Sequence, residues 1–293
     1  MFYRRKLLLA LLESFGGTLP RTDCQKLLFL FCQYTQQNHY DFFPYKYGNF
    51  SLLAYQDKGR LTELGFLNDA ENFELKKHLS FMTELKPKDQ RSLRWFSSEF
   101  KELRGVDLLR KVYLEYPQYT CRSEILPDIL TTDEIQRVQI YWNNDTSPCL
   151  FTLGYEGLTI DSYLHVLISN NIQALLDVRK NPSSMKYGFS KNALKGYLEK
   201  AGIQYFHLPE LGISSELRQD LTTPESYKHL FERYISEILP YQSSALEHVQ
   251  NVLSTYNRIA LMCFENDYHF CHRHKIAEYF DQSPSFHTRI VHL

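Results

Sequence analysis

Leu150-Phe151-Thr152-Leu153-Gly154-Tyr155-Glu156-Gly157, followed after a helix-patterned segment by Ile172-Gln173-Ala174-Leu175-Leu176-Asp177-Val178-Arg179, decides the fold. The first run is an apolar strand entering a glycine turn. The second is another apolar strand, ending in an acid and a base. Strand, glycine turn, helix and strand in that order make a parallel βαβ unit. In open α/β sheets ligands bind beyond the carboxyl ends of the strands. Gly154, Tyr155, Asp177 and Arg179 fall there, and that is where chemistry is expected.

Outward from this unit the alternation continues. Strands are expected at residues 149–153, 174–178, 204–208, 258–263 and 288–292, and helices at 159–169, 190–200, 224–239, 246–254 and 268–281. The expected class is α/β, a mostly parallel sheet flanked by helices, behind an N-terminal, mainly helical, winged-helix-like domain. Asn143-Asn144-Asp145-Thr146-Ser147-Pro148 is polar and turn-rich and reads as the boundary. The expected division is a recognition module at 1–70, a helical extension and linker at 71–148, and the α/β domain at 149–293.

The 293 residues are ample for two domains, and the formal net charge of -1 removes any global electrostatic case for a nucleic-acid partner while leaving local basic faces open. The 21 Tyr and 20 Phe fit Tyr-rich cores as readily as base-stacking platforms. Residues 1–12 combine basic and apolar residues as a signal peptide does. Glu13 interrupts the run, and Leu7, Leu11 and Phe15 have helical spacing, so it reads as the first helix. No apolar run approaches the roughly 20 residues that span a bilayer, and a cytoplasmic protein without membrane contact is expected. The six scattered cysteines form no CxxC pair and read as reduced.

In the N-terminal quarter, helices are expected over 3–14, from Thr22-Asp23 to about Gln37 with either residue as the cap, and over 51–64, closed by Gly65. An aromatic turn, Tyr40 to Phe50, lies between the last two, and Phe66-Leu67 would begin a β wing. The basic run from Lys86 to Lys111 is interleaved with acids and reads as a solvated face rather than a phosphate stripe. Thr131-Thr132-Asp133-Glu134 reads as one more helix start. Lys26-Leu27-Leu28-Phe29-Leu30, Pro44-Tyr45-Lys46-Tyr47-Gly48-Asn49-Phe50-Ser51 and Leu61-Thr62-Glu63-Leu64-Gly65-Phe66-Leu67 together resemble the Panacea antitoxin family, with Asn49 where that family usually has Pro. The resemblance implies recognition of nucleic acid or of a protein partner through Tyr45, Tyr47 and Phe50. The alternative is that these rings only pack the turn.

Four patches at the expected strand ends carry chemistry. Gly154-Tyr155-Glu156-Gly157 lets backbone approach a ligand but is no nucleotide-binding fingerprint. Asp177 and Arg179, with Ser183 in the loop beyond, would bind an anion or form a structural ion pair. His207-Leu208-Pro209-Glu210 is a strand leading to an acid. Cys263-Phe264-Glu265 with Cys271-His272-Arg273-His274 is the sharpest: Glu265 as general acid or base, Cys271 as a helix-start thiolate of lowered pKa, His272 and Arg273 assisting. Both cysteines serve equally as buried small hydrophobes. Their spacing to His272 or His274 matches no recognised zinc motif; no metal is expected and no cofactor is assigned.

Thr152 to Gly157, Leu176 to Arg179, Gly188 to Lys191, Ala201 to Tyr205, Leu208 to Gly212, and Leu261 to Glu265 with Cys271 to Arg273 together resemble the domain-of-unknown-function 488 family. Ile213 and Lys186 depart from its pattern. The resemblance implies an α/β domain with a polar pocket, in families often placed near DNA modification and phage defence. The expected function is a nucleic-acid- or nucleotide-directed enzyme performing hydrolysis or group transfer. Asp177, Glu265 and Cys271 would be catalytic; Gly154, Tyr155, Arg179, Ser183, His272 and Arg273 would bind substrate. The alternative is a non-enzymatic regulator or defence sensor that binds a small anion.

Overall fold

A computed structural model describes residues 1–76, 80–218, 221 and 223–293, and the chain in it divides into two units, Met1–Trp142 and Asn143–Leu293. The first contains α1 (Tyr3–Ser14), β1 (Thr18–Leu19), α2 (Arg21–Thr35), β2 (Phe43–Tyr45), β3 (Gly48–Phe50), α3 (Leu52–Glu63), β4 (Phe73–Glu74), α4 (Pro87–Glu99), α5 (Gly105–Glu115), α6 (Leu126–Ile129) and α7 (Thr132–Gln139). Leu7 through Leu12 of α1 are all buried, and one apolar cluster runs from them through Phe29 and Phe96 to Val112 and Val138.

Helix α2 begins directly behind Pro20, without a side-chain cap. Neither Thr22 nor Asp23 plays the expected role; the Asp23 carboxylate accepts the Gly105 N–H at the start of α5 (3.3 Å). Ser51 does cap α3, accepting from Ala54 N (3.3 Å), and Gly65 follows the helix at φ +78°. The aromatic turn is a β2–β3 hairpin with Phe43 opposite Phe50. The wing expected at Phe66-Leu67 is a single bridge, Leu67 to Leu75, beside the short antiparallel pair β1–β4.

The second unit contains β5 (Cys149–Gly154), α8 (Ile160–Ser169), β6 (Ala174–Asp177), α9 (Lys191–Lys200), β7 (Gln204–His207), α10 (Pro224–Arg233), α11 (Ser243–Tyr256), β8 (Arg258–Cys263), α12 (Arg273–Asp281) and β9 (Arg289–His292). The expected α/β class holds. Five strands form one wholly parallel sheet in the order β7-β6-β8-β5-β9. Every residue of β5, β6 and β8 is buried, as parallel strands covered on both faces require. Leu150, Leu176 and Leu261 of the sheet share a core with Phe231, Val249, Ile276 and Phe280 of the helices.

Two helices are shorter than their periodicity promises. The run from Pro224 leaves α geometry after Arg233 for one π turn, Tyr234–Ile238, because Pro240 supplies no N–H and crowds the preceding turn. The segment from Tyr268 opens as a tight turn capped by Asp267, and α12 starts only at Arg273. Among the described residues no helix is long and apolar enough to cross a membrane.

Candidate functional site at the strand ends

Strand β8 lies between β6 and β5, so the carboxyl ends of three strands bring Gly154, Asp177 and Cys263 together. Gly154 is needed for this convergence. A Cβ there would stand 1.8 Å from the Glu265 carbonyl oxygen. Only a glycine lets the loop after β8 cross the end of β5, where Tyr155 N and Glu156 N donate to Phe264 O (3.1 and 2.9 Å). The site residues then fall into two groups.

The first group is a rigid frame. Arg179 Nε and Nη2 donate to the two oxygens of Asp177 (2.8 and 2.6 Å), and Nη1 donates to Tyr155 Oη (2.9 Å) and Phe189 O (3.0 Å). Tyr205 Oη adds a further donor to Asp177 Oδ2 (2.8 Å). Tyr155 stacks on Phe189 at 4.3 Å and lies under the Arg179 guanidinium. Asp177 is 0% and Arg179 5% exposed, so this arginine faces inward and holds the loop rather than facing solvent. Ser183 stands apart, exposed, with its N–H on Asn181 Oδ1; its neighbour Ser184 is the residue near Tyr155 Oη (3.5 Å).

The second group is a buried cluster of thiols, imidazole and carboxylate. Cys263 Sγ donates to Glu265 Oε2 (3.4 Å) and lies 3.8 Å from His272 Nδ1. The sulfurs of Cys263 and Cys271 and a ring nitrogen of His272 all lie within 4.8 Å of one another. His272 Nε2 is 3.1 Å from Val178 O. A carbonyl only accepts, so Nε2 carries the hydrogen and Nδ1 faces the sulfurs bare. Arg273 is fully buried and donates to Glu265 O (2.5 Å) and Asn266 O (2.9 Å); it shapes the loop that presents Glu265.

Glu265 pairs with Arg218 from a loop preceding α10, not with Arg179. Burial is the largest influence and works against its charge, but the Arg218 guanidinium, a hydrogen bond from Cys271, a backbone hydrogen bond and His272 together outweigh it and hold the carboxyl below its ordinary range. The Arg218 side chain keeps 33% of its surface in solvent, which makes it the exposed cation of the cluster's edge. Cys271 corrects an expectation. It precedes α12 instead of opening it, and burial, reinforced by the neighbouring Cys263 thiol, pushes its own thiol well up rather than down. Nor does His274 join: its Nδ1 faces Cys271 O (2.5 Å) and its Nε2 faces Glu278 (3.8 Å).

Arg218 escaped the sequence reading. It belongs to no periodic segment, and only the Glu in the loop Leu208 to Glu210 had drawn attention there. Lys26 escaped it too. In the N-terminal unit a cavity of about 420 Å³ is lined by Tyr45, Tyr47, Phe50 and Tyr55 with Arg21 and Lys46. Lys26 also lines it, yet is 2% exposed, with Nζ donating to Asn49 O (2.7 Å). Burial lowers the Lys26 ammonium to about 7, with Asp23 opposing the shift. Asn49 Oδ1, buried beside it, has no hydrogen-bond donor among the described residues.

The second unit is thus an α/β domain with a thiol–imidazole–carboxylate cluster at the carboxyl edge of a parallel sheet. Residues 159–280 match the family model described as "Domain of unknown function DUF488", so the chain carries a DUF488 domain there. The match takes in Asp177, Arg179, Arg218, Cys263, Glu265, Cys271, His272 and Arg273; Gly154 and Tyr155 lie before it. Nothing in the comparisons supports the Panacea resemblance of the N-terminal quarter. Neither curated proteins nor solved structures gave a match.

Proposed function

We propose that the chain is an enzyme acting on a nucleic acid or nucleotide, by hydrolysis or group transfer, with its reaction centre at Glu265, Cys263, Cys271 and His272. The observation that carries this reading is the convergence of these polar groups at the strand ends, with an arginine at the rim. Glu265 is the general base: Arg218 and the hydrogen bonds around the carboxyl keep it ionised at neutral pH, and an ionised carboxylate accepts a proton. Arg218 offers the anionic substrate its guanidinium. Arg179 and Arg273, engaged internally, position Asp177, Tyr155 and the Glu265 loop. The N-terminal unit, in keeping with its Panacea-like residues, supplies the grip through Tyr45, Tyr47 and Tyr55, interleaved with Arg21 and Lys46. Aromatic faces among cations are how single-stranded nucleic acids are held without sequence preference. A cytoplasmic role in DNA modification or phage defence is the setting this reading belongs to.

The test is a panel of single- and double-stranded DNA and RNA oligonucleotides, with products identified by mass spectrometry. Conversion of at least one member, lost about 100-fold or more in Glu265→Gln, is expected for a general base. Absence of conversion across the panel would sink the catalytic reading. A second reading, a non-enzymatic sensor of a small anion, is favoured by one observation: Cys263, Cys271 and His272 are all at most 3% exposed. It predicts that oligonucleotide or nucleotide binding survives Glu265→Gln unchanged, with no turnover in either protein.

A further inference from the structure

We infer that Cys263 Sγ, Cys271 Sγ, His272 Nδ1 and Glu265 Oε2 form a binding site for a divalent transition metal, zinc being the ion this donor set fits. The site is the proposed reaction centre, so the inference deepens that reading and rests on it for its catalytic consequence alone.

The donor set comes first. Thiolate, imidazole and carboxylate are the ligands zinc takes, in tetrahedral sites with bonds of about 2.3 Å to sulfur and about 2.0–2.2 Å to nitrogen and oxygen. Tetrahedral angles at those lengths place a sulfur about 3.5 Å from a nitrogen or oxygen ligand. The structure has 3.4 Å from Cys263 Sγ to Glu265 Oε2 and 3.8 Å from Cys263 Sγ to His272 Nδ1. Cys271 Sγ lies within 4.8 Å of both Cys263 Sγ and the His272 nitrogen. Three donors from two short segments therefore lie together, and Glu265 Oε2, 3.4 Å from Cys263 Sγ but outside that three-residue group, would complete the set by a side-chain rotation.

The surrounding contacts are those a metal site needs. A ligating histidine gives its other ring N–H to a carbonyl or carboxylate, which fixes the tautomer. His272 Nε2 on Val178 O (3.1 Å) does this and leaves Nδ1 bare toward the sulfurs. A ligating carboxylate is itself hydrogen-bonded. Glu265 turns Oε1 to Arg218 and Oε2 to Cys263. Charge balances as well. Two thiolates and a carboxylate around a divalent cation leave one net negative charge, and the paired Arg218 cancels it. Binding releases the two thiol protons to solvent.

The catalytic consequence follows from Arg218. A carboxylate shared between a metal and a guanidinium can move wholly to the guanidinium. That leaves three ligands and an open position, which is what separates a catalytic zinc site from a structural one.

The experiment is metal analysis of the full chain purified without chelator, followed by replacement with cobalt(II). The expected results are one equivalent of zinc, and a cobalt form with near-ultraviolet thiolate charge-transfer bands and tetrahedral d–d bands. Cys263→Ser, Cys271→Ser and His272→Ala each remove a direct ligand and should each lower metal affinity by more than the roughly 10–100-fold that loss of an outer-shell partner costs. Glu265→Gln should keep the metal and shift the d–d bands. If a cysteine variant fails to fold, the wild-type cobalt spectrum and the Glu265→Gln shift still decide. Wild-type protein with neither stoichiometric metal nor a charge-transfer band on cobalt addition overturns the inference, as does a band unchanged in foldable Cys263→Ser. Failure of the functional reading is separable. Bound metal without turnover leaves the site standing and removes the enzyme; Glu265-dependent turnover without metal does the reverse.

Discussion

Each unit buries a cation, and the two do so in opposite ways. In the N-terminal unit Lys26 is sealed in with one backbone carbonyl, Asn49 O, as its hydrogen-bond acceptor. In the C-terminal unit Arg179 is sealed in with both oxygens of Asp177, a tyrosine hydroxyl and a carbonyl. An ammonium with one neutral partner answers burial by losing its proton. A guanidinium cannot, so it must be matched donor for donor, and once matched it fixes whatever it touches. The first arrangement makes a titrating group beside a cavity; the second makes a frame on which a site can be built.

Breaking the frame should give the largest effect. Arg179→Met leaves Asp177 fully buried, with, among the described residues, only the backbone N–H of position 179 and Tyr205 Oη as donors. Removing one partner of such a pair costs about 3–5 kcal/mol. Hydrogen exchange of peptides covering β6 and β8 reads this within the C-terminal unit. The double variant Asp177→Leu, Arg179→Met should recover most of the loss, since an apolar pair of similar volume replaces a buried ion pair at little penalty. A single-variant loss under about 1 kcal/mol would mean the pair is not what holds the strand ends.

The lysine should respond to pH where the frame does not. Its ammonium titrates near 7 in the folded chain against an ordinary value of 10.5. The folded state prefers the neutral amine. Its contribution to stability is therefore complete above pH 10.5, falls as pH drops, and levels off below about 7. Read between pH 6.5 and 9.5, below the range in which ordinary tyrosines ionise, the N-terminal unit should gain on the order of a few kcal/mol with rising pH. Lys26→Met should flatten this gain while keeping the packing of the four-carbon stem. Urea midpoints at several pH values decide it. A wild-type slope retained in Lys26→Met would assign the titration to another group, Asp23, whose charge bears on Lys26, being the first to test.

Why the frame's residues were legible and the lysine's role was not is a matter of range. Asp177 and Arg179 lie on one strand end, and alternation on a strand puts residues i and i+2 on one side, so the sequence itself brings them together. Gly154 was legible as a point of close backbone approach, expected for a ligand; the structure puts the loop after β8 there instead. Cys263 with Glu265, and Cys271 with His272, are likewise neighbours along the chain. Arg218 pairs with Glu265 across a long separation from a segment without periodicity, and no local pattern encodes that meeting. Lys26 sits in the helical run Lys26-Leu27-Leu28-Phe29-Leu30, where a lysine is ordinarily solvated; the hairpin Tyr45 to Asn49 covers it, and that is tertiary. Cys271 shows the same limit. The sequence placed it at a helix start, where a dipole lowers a thiol, but burial and the Cys263 sulfur set its protonation instead.

The smallest effect should come from a feature the sequence specified completely. Thr131 and Glu134 form a reciprocal cap at the start of α7: Glu134 Oε2 accepts the Thr131 N–H (3.0 Å), and Thr131 Oγ1 accepts the Glu134 N–H (3.4 Å). Both residues are near in the chain, so the motif was readable. Thr131 is exposed, so water can replace what is lost. Thr131→Ala should therefore cost about 1 kcal/mol, and Thr131→Ser almost nothing, by thermal or urea unfolding of the N-terminal unit. A loss of about 3 kcal/mol or more would place the cap among the buried, matched contacts with the Arg179 frame. A serine variant as weak as the alanine would show that the hydroxyl is not the operative group. The contrast with Arg179 is one of burial, not of range: both motifs are encoded locally, but the exposed cap is replaceable by solvent, while the Arg179 frame is deep, shared by several segments, and costly to break.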